Sequence, residues 1–226
     1  MSTLTIHPTS LPLFPLGTVL FPGGLLPLRI FEVRYLDMIG NCYRAGAPFG
    51  VVTLSKGSEV RQPDPDGTEP DACMPEAFHA VGTLARITEL STPQAGLMVV
   101  RCEGTHRFRI HDYQKLKYGL WQAKVETLED DLSVPIPDDL QGVANALSNL
   151  IHTLKVRKVP EQQMPMLLPY KLDDCGWVAN RWCEQLPMPL QQRQRLMALD
   201  NPLVRLELVN DMLLRSGIVA KGARPD

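Results

Sequence analysis

The sequence predicts an α+β protein in which an antiparallel β-barrel with one early helix precedes a helical C-terminal region. Three observations lead to this prediction. Apolar segments broken by prolines fill the first 30 residues, alternating segments follow up to residue 128, and helical spacing begins after Asp131. We expect the barrel region to span residues 10–131 and the helical region to span residues 132–220.

The composition is that of an ordinary globular protein. The 226 residues are enough for a sizeable core, and 44% are hydrophobic while 21% are charged. The formal net charge of -2 gives no global electrostatic argument for binding nucleic acid or an anionic membrane. Five cysteines without a C-x-x-C pair argue against a disulfide framework, and neither a secretory signal nor an apolar stretch free of proline and charge is visible. We therefore expect a cytoplasmic protein that makes no contact with a membrane.

The first element to explain is the apolar stretch LFPLGTVLFPGGLLPLRIFE, residues 13–32. Its three prolines exclude a helix interior, because proline lacks an N–H and fixes φ. The stretch is therefore predicted to form short strands, and prolines in strands lie at sheet edges or bulges. Apolar residues on both faces indicate burial on both faces, as in a barrel. The predicted strands are Leu11–Leu16, Val19–Phe21 and Leu25–Ile30, the last two joined by a turn at Pro22-Gly23-Gly24.

A helix and a strand are predicted next. Phe31, Tyr35, Met38, Ile39 and Cys42 recur at helical spacing, and Gly46 is a plausible C-terminal stop. The apolar run Phe49–Leu54 is then typical of a buried strand. Residues 55–78 form a polar loop rich in proline and aspartate, which lacks the ligand spacing of a calcium-binding EF-hand.

Four alternating segments then predict a meander of antiparallel strands. Turns are expected between them at Thr92–Gly96 and at Glu103–Thr105. Closing such a meander into a barrel removes its unpaired edges. The predicted strands are Ala80–Leu90, Leu97–Cys102, Arg107–Asp112 and Tyr118–Leu128.

Four helices are predicted in the C-terminal region. The first runs from Leu140 to Leu154, where apolar residues follow i, i+3, i+4, i+7 spacing. A proline-rich connector over residues 159–172 follows it. Asp173 and Asp174 can cap the second helix, Pro189 begins the third, and Asn201 with Pro202 begins the fourth, which ends near Gly217.

Motifs for catalysis are absent from the sequence. There is no phosphate-binding glycine loop and no G-x-S-x-G. Ser55 and Lys56 are adjacent on a strand end, so their side chains point to opposite faces and form a poor dyad. Cys102, His106 and His111 have no second ligand pair that would indicate a metal site. We expect a non-enzymatic protein with no cofactor and no metal.

Two stretches suggest binding. Tyr113, Tyr118 and Trp121 lie among Lys115, Lys117 and Lys124, a composition that RNA-binding sheets use for stacking, although Trp121 can equally fill the barrel core. The connector Met164–Leu168 is apolar and irregular. It either packs over the helices or offers an adaptable, methionine-rich binding surface.

Several motifs resemble the N-terminal domain of Lon protease. They are LPLFPLGTVLFPGGLLPLRIFEVRYLDMI, VGTLARITEL with LMVVRCEGTHRFRI, and the helical stretch WVANRWCEQLPMPLQQRQRLMALDNPLVRLELVNDML. The resemblance covers nearly the whole chain and implies a PUA-like barrel followed by a helical bundle. Similar domains occur as interaction modules in cereblon. The ATPase and protease modules of Lon have no counterpart here, so the resemblance implies recognition of substrates or partners and not proteolysis.

The sequence therefore predicts a non-catalytic module that binds unfolded polypeptide or a partner protein, such as a protease or an ATPase, in protein quality control. Grooves between subdomains are common ligand sites, so we expect binding between the barrel and the helical region. Arg34 and Arg107 can instead be buried ion-pair partners. RNA binding through the barrel is the alternative function. The candidate contact residues are Arg34, Tyr35, Arg107, Met164, Met166 and Leu168.

Overall fold

The computed structural model describes residues 9–56 and 76–219. The chain divides into two compact units, Met1–Glu129 and Asp130–Asp226. The described residues contain a largely antiparallel sheet and five α-helices, which confirms the predicted α+β class. Residues 57–75 of the predicted loop at 55–78 lie outside the described residues. Strands occupy both of its described ends.

Among the described residues, the first unit contains seven strands and one α-helix, and the second contains four α-helices. The strands are β1 (Thr9–Leu16), β2 (Leu25–Ile30), β3 (Phe49–Lys56), β4 (Ala77–Phe78), β5 (Val81–Gln94), β6 (Leu97–Lys115) and β7 (Trp121–Thr127). The helices are α1 (Val33–Ala45), α2 (Gln141–Val156), α3 (Cys175–Gln185), α4 (Leu190–Met197) and α5 (Pro202–Arg215).

The strands pair in the order β1-β7-β6-β5-β3-β4, with β2 paired to β6. β1 also pairs with β3, so the pairings of β1, β7, β6, β5 and β3 form a closed cycle. The β1–β3 pairing is parallel, and the expectation of a purely antiparallel arrangement is wrong at this point. Parallel neighbours need a crossover connection, and β2 with α1 supplies it.

The predicted turn at Glu103–Thr105 is also wrong, because β6 runs without interruption from Leu97 to Lys115. Gly104 marks a close approach of two backbone segments instead. Its N–H donates to the Gly24 carbonyl at 2.9 Å, and its carbonyl accepts from the Gly23 N–H at 2.7 Å. A Cβ atom at position 104 would lie 2.2 Å from the Phe21 carbonyl oxygen.

The predicted strand at Val19–Phe21 is not formed, although all three residues are buried. Side-chain hydroxyls hold this segment in place of a strand partner. Thr83 Oγ1 donates to the Leu20 carbonyl at 2.6 Å, and Thr53 Oγ1 donates to the Thr18 carbonyl at 3.2 Å. An apolar pattern predicts burial here but does not reveal which groups satisfy the backbone.

Helix α1 covers one face of the sheet in the first unit. Tyr35, Met38 and Ile39 are buried in its core, and the Tyr35 ring stacks on Phe14 with centroids 4.0 Å apart. The helix ends at Gly46, as predicted, in the left-handed conformation with φ of 61°. Phe31 lies outside the helix and is exposed, which corrects its predicted place on the buried face.

In the second unit the helix caps agree with the sequence. The Asp174 carboxylate accepts from the Trp177 N–H at 2.7 Å, and the Asn201 side chain accepts from the first turn of α5. Pro202 is the first residue of that helix. Trp182 is buried, and its indole N–H donates to the Val143 carbonyl at 3.1 Å, which joins α3 to α2.

Arg205 on α5 is the polar centre of the second unit. Its buried guanidinium donates to the Asp131 carboxylate through two nitrogens and to Asn180 Oδ1 at 3.0 Å. It also donates to the Leu196 carbonyl at 2.9 Å and to the Leu199 carbonyl. One side chain thereby ties the residues that precede α2 to α3 and to the end of α4.

No helix in the described ranges is long and apolar enough to cross a membrane. Four cysteines, Cys42, Cys102, Cys175 and Cys183, are buried free thiols, and Cys73 lies outside the described residues. Within those residues no three His, Cys, Asp or Glu side chains form a group able to hold a metal ion.

Replacing Gly104 with alanine should strongly destabilise the first unit. The new Cβ would meet a backbone oxygen that cannot rotate away, so we expect the free energy of unfolding to fall by about 3 kcal/mol. Urea unfolding measures this loss. The matched control is Gly40→Ala in α1, where a Cβ meets ordinary contacts at 3.6 and 3.7 Å. Alanine favours helix over glycine, so this variant should gain about 0.5–1 kcal/mol; equal effects at both positions would contradict the close-approach role.

Glu184 on α3 makes the second unit sensitive to pH. Its carboxylate pairs with Arg181 at 2.9 Å in the interior. Burial raises the pKa of Glu184 from 4.5 to about 7, against the opposing effect of Arg181 and Arg193. The folded protein therefore binds this proton more tightly than the unfolded chain does. This contribution to stability is complete below about pH 4.5 and is lost as the pH rises through about 7.

The Glu184→Gln variant should remove that loss, because the amide stays neutral and can still accept from Arg181. We expect the variant to be more stable than the wild type above pH 7, by up to about 3 kcal/mol, with the difference shrinking toward pH 4.5. Urea unfolding at a series of pH values measures the difference. A difference that does not change with pH would show that Glu184 does not titrate in this range.

Candidate functional site

The first unit carries an open groove of about 740 Å³ between two short segments, residues 31–41 and 117–120. Three apolar side chains on these segments are strongly exposed: Phe31 by 56%, Val33 by 72% and Tyr118 by 85%. Exposed apolar residues gathered around one concavity are typical of a binding surface. The groove is lined by Phe31, Glu32, Val33, Arg34, Asp37, Met38, Asn41, Lys117, Tyr118 and Leu120.

The first wall follows from the periodicity of α1. Because Tyr35, Met38 and Ile39 turn toward the core, the row at i, i+4 and i+8 is left on the other side of the helix. That row is Val33, Asp37 and Asn41, and all three residues are exposed and line the groove. The helix thus anchors itself with one face and offers the other to a ligand.

The second wall is the connection between β6 and β7. Tyr118 has φ of 66° and Gly119 has φ of 78°, so two successive residues are left-handed. The Leu116 N–H donates to the Leu120 carbonyl at 2.7 Å and closes the loop. Left-handed backbone is common for glycine but rare for a bulky aromatic residue. Tyr118 stands at the tip of this loop with its ring in solvent.

Arg34 joins the two walls. Its side chain is buried, and Nη1 donates to the Gly119 carbonyl at 2.7 Å across 85 positions of sequence. Nε donates to Glu32 at 2.9 Å, and Nη2 lies 3.5 Å from the Glu76 carboxylate. The guanidinium carbon is 4.4 Å from the centre of the Tyr35 ring. Arg34 therefore links α1 directly to the β6–β7 loop.

The charges beneath the groove cancel. Glu76 also accepts from the Trp121 indole N–H at 2.6 Å and lies 3.6 Å from Lys115 Nζ. Two carboxylates, those of Glu32 and Glu76, thus face two cations, those of Arg34 and Lys115. The groove lining adds one exposed acid, Asp37, and one exposed base, Lys117.

Two buried protic groups in the core of the first unit stay protonated at neutral pH. Burial raises the pKa of the Tyr35 phenol far above its ordinary value, although the Arg34 charge opposes this. Burial also raises the pKa of the Cys102 thiol in β6 to about 12. Neither group is an activated nucleophile, since the phenolate and the thiolate are the reactive forms.

A second, smaller pocket of about 220 Å³ lies beside the groove. It is bordered by β2, the end of β1 and residues Phe31, Glu32 and Tyr35. Phe31 and Glu32 therefore line both cavities.

Among the candidate contact residues, Arg34 lines the groove and Tyr35 lines the smaller pocket. Arg107 is buried within β6. In the second unit Met164 and Met166 are buried, whereas Leu168 is 61% exposed. Phe31 and Val33, two exposed apolar residues of the groove, were not among the candidate contact residues predicted from the sequence. Val33 falls outside the buried row of α1, and that exposed apolar position was the available signal.

Four of the aromatic and lysine residues noted between positions 113 and 124, namely Tyr113, Lys115, Trp121 and Lys124, contact other side chains of the first unit. The rings of Phe78, Tyr113 and Trp121 pack against one another with centroids 5.1, 5.4 and 5.6 Å apart. Lys115 pairs with Glu76, and Lys124 lies 3.7 Å from Asp112. Of the residues noted between these positions, Lys117 and Tyr118 line the groove.

Comparison with known proteins identifies close similarity to one family. Residues 10–215 match the model of the ATP-dependent protease La (LON) substrate-binding domain. The chain is 26% identical over 221 residues to the Lon protease of Anaeromyxobacter dehalogenans, covering 95% of this chain and 24% of that protein. It is 33% identical over 135 residues to protein cereblon of Danio rerio, covering 58% of this chain and 27% of that protein. It thus spans about a quarter of the length of these relatives.

Two solved structures share the fold. The crystal structure of a Lon N-terminal domain protein from Xanthomonas campestris is 32% identical with a TM-score of 0.67, covering 90% of this chain and 98% of that one. The N-terminal domain of a Mycobacterium avium complex Lon protease is 13% identical with a TM-score of 0.51, covering 90% and 97%. At that identity the second match concerns the fold alone.

Replacing Arg34 with methionine should destabilise the first unit by about 3 kcal/mol, because it leaves the carboxylates of Glu32 and Glu76 without their shared cation. Urea unfolding monitored by tryptophan fluorescence measures the loss. Arg86→Met is the matched control, since Arg86 pairs with Glu103 at the surface. An exposed pair contributes less than about 1 kcal/mol. Equal losses in the two variants would show that the Arg34 network is not a structural centre.

Proposed function

Because the chain belongs to the family of the Lon substrate-binding domain, we propose that it recognises polypeptides and that they bind in the groove between residues 31–41 and 117–120. The observation that carries this proposal is the exposure of Phe31, Val33 and Tyr118 around one concavity. Burying these side chains under a polypeptide would contribute about 25 cal/mol for each Å² of apolar surface removed from water. An unfolded or partly folded segment offers the apolar side chains that such a surface requires.

We propose a non-catalytic role for the chain, in the cytoplasm and in protein quality control. This chain spans about a quarter of the Lon proteases that it matches, and we propose that a protease or an ATPase receives the bound polypeptide. Leu168 in the second unit remains a candidate contact for such a partner because it is exposed. We also propose that the closed cycle of strand pairings is a PUA-like barrel and that α2–α5 form a helical bundle.

RNA binding through the strand-rich unit is the alternative, and the contacts favour polypeptide binding over it. The rings of Phe78, Tyr113 and Trp121 pack on each other, and Lys115 and Lys124 face carboxylates. Of the aromatic and lysine residues between positions 113 and 124, Tyr118 and Lys117 line the groove, and the acid Asp37 lines it with them. One exposed ring and one exposed cation of this set are fewer than the run of stacking platforms and cations that an RNA-binding sheet uses, and RNA affinity would fall steeply with salt.

Replacing Val33 with glutamine should weaken polypeptide binding about threefold to tenfold without unfolding the protein. Val33 is the first residue of α1 and is exposed, so glutamine fits the helix while removing apolar contact surface. The measurement is the affinity for reduced, carboxamidomethylated α-lactalbumin, a permanently unfolded protein, by fluorescence anisotropy.

The matched control is Tyr43→Gln on the same helix, because Tyr43 is exposed but does not line the groove. This variant should bind as the wild type does. Loss of affinity in both variants, or in neither, would place the binding surface elsewhere. Melting temperatures of both variants show whether the fold is intact.

A further inference from the structure

We propose that Tyr118 is a specificity-determining residue of the groove and that it selects uncharged, extended polypeptide segments carrying an aromatic side chain. This inference rests on the proposed function and adds the class of segment that the groove prefers. Its starting point is a conflict between the identity of residue 118 and its backbone.

The backbone at position 118 opposes a tyrosine. With φ of 66° the residue occupies the left-handed region, where a Cβ substituent clashes with the neighbouring carbonyl. Its ring is 85% exposed and so gains little from burial in the fold. Backbone strain of this kind persists where the surrounding structure enforces it, and it is concentrated at binding and catalytic sites.

The surrounding structure does enforce this conformation. The Leu116 N–H bonds to the Leu120 carbonyl at 2.7 Å, and the Arg34 guanidinium donates to the Gly119 carbonyl at 2.7 Å. Arg34 is buried and fixed by Glu32, so the loop cannot relax without breaking a buried network. Arg34 is therefore a positioning residue that holds Tyr118 beside the groove.

The chemistry of the lining indicates what the ring contacts. Phe31, exposed on the other segment, supplies a second ring, and aromatic rings are stabilised by offset and edge-to-face contacts with other rings. Arg34 and Lys115 neutralise Glu32 and Glu76, while one acid and one base, Asp37 and Lys117, remain exposed in the lining. A lining without net charge complements a segment without net charge.

Replacing Tyr118 with glycine separates this role from a structural one, because the two readouts should move in opposite directions. Glycine relieves the strain, so the melting temperature should stay constant or rise by about 2 °C. The affinity for a capped peptide with a central Leu-Phe-Leu should fall about tenfold. The probes are peptides with acetylated and amidated ends, measured by fluorescence anisotropy against wild-type protein.

Two comparisons sharpen the experiment. The Tyr118→Phe variant keeps the ring and should bind the Leu-Phe-Leu peptide as the wild type does. A peptide with Leu-Leu-Leu should bind the wild type about threefold more weakly than the Leu-Phe-Leu peptide does. The Tyr118→Gly variant should bind these two peptides with equal affinity. Peptides with Asp or Lys beside the phenylalanine should bind more weakly than the neutral one.

Several outcomes would overturn the inference. Unchanged affinity in Tyr118→Gly would show that the ring does not contact the peptide. A lower melting temperature would show that the ring supports the fold. A concentration-dependent dimer that Tyr118→Gly abolishes would make a second copy the occupant. If wild-type protein binds no apolar peptide, the proposed function itself fails. If binding depends on Val33 but not on Tyr118, only this inference fails.

Discussion

The guanidinium of Arg34 is the interaction on which the candidate site depends. It reaches from α1 to the Gly119 carbonyl, 85 positions away, and holds two segments that no strand pairing joins directly. Burying a cation is unfavourable unless its charge is compensated, and Glu32 and Glu76 supply that compensation. The same contacts that stabilise the first unit therefore link the two walls of the groove and leave no net charge on the network beneath it.

Each of the two units contains a buried arginine that links separate segments of the chain. Arg205 in the second unit, like Arg34 in the first, is a buried arginine whose several donors satisfy backbone carbonyls and carboxylates together. The planar guanidinium suits this role because its donors point in fixed directions. In the second unit, Arg205 donates to groups within that unit's interior. In the first unit, Arg34 also donates to the Gly119 carbonyl of an exposed loop. This difference, and the exposed rings beside that loop, favour the first unit as the site of recognition.

Much of the fold could be predicted from local pattern. The caps at Asp174 and Asn201, the end of α1 at Gly46 and most strands follow from residue types that act on their immediate neighbours. The family followed from the order of motifs along the chain. The predictions were wrong where the role of a residue depends on a contact with a residue distant in sequence. A turn was predicted at Gly104 because glycine often interrupts strands. Glycine is needed there because the backbone of residues 21–24 packs directly against β6.

The site was predicted less well, for the same reason. The sequence by itself determined that α1 buries one face, that the chain carries no visible catalytic motif, and that it resembles a recognition domain. Only the tertiary structure decided that Val33 and Tyr118 share a groove, that Arg107, Met164 and Met166 are buried, and that the parallel pairing of β1 with β3 closes the cycle of strands. Local sequence specifies backbone preference and periodicity, whereas contacts between distant segments depend on how buried charges and close backbone approaches are satisfied together.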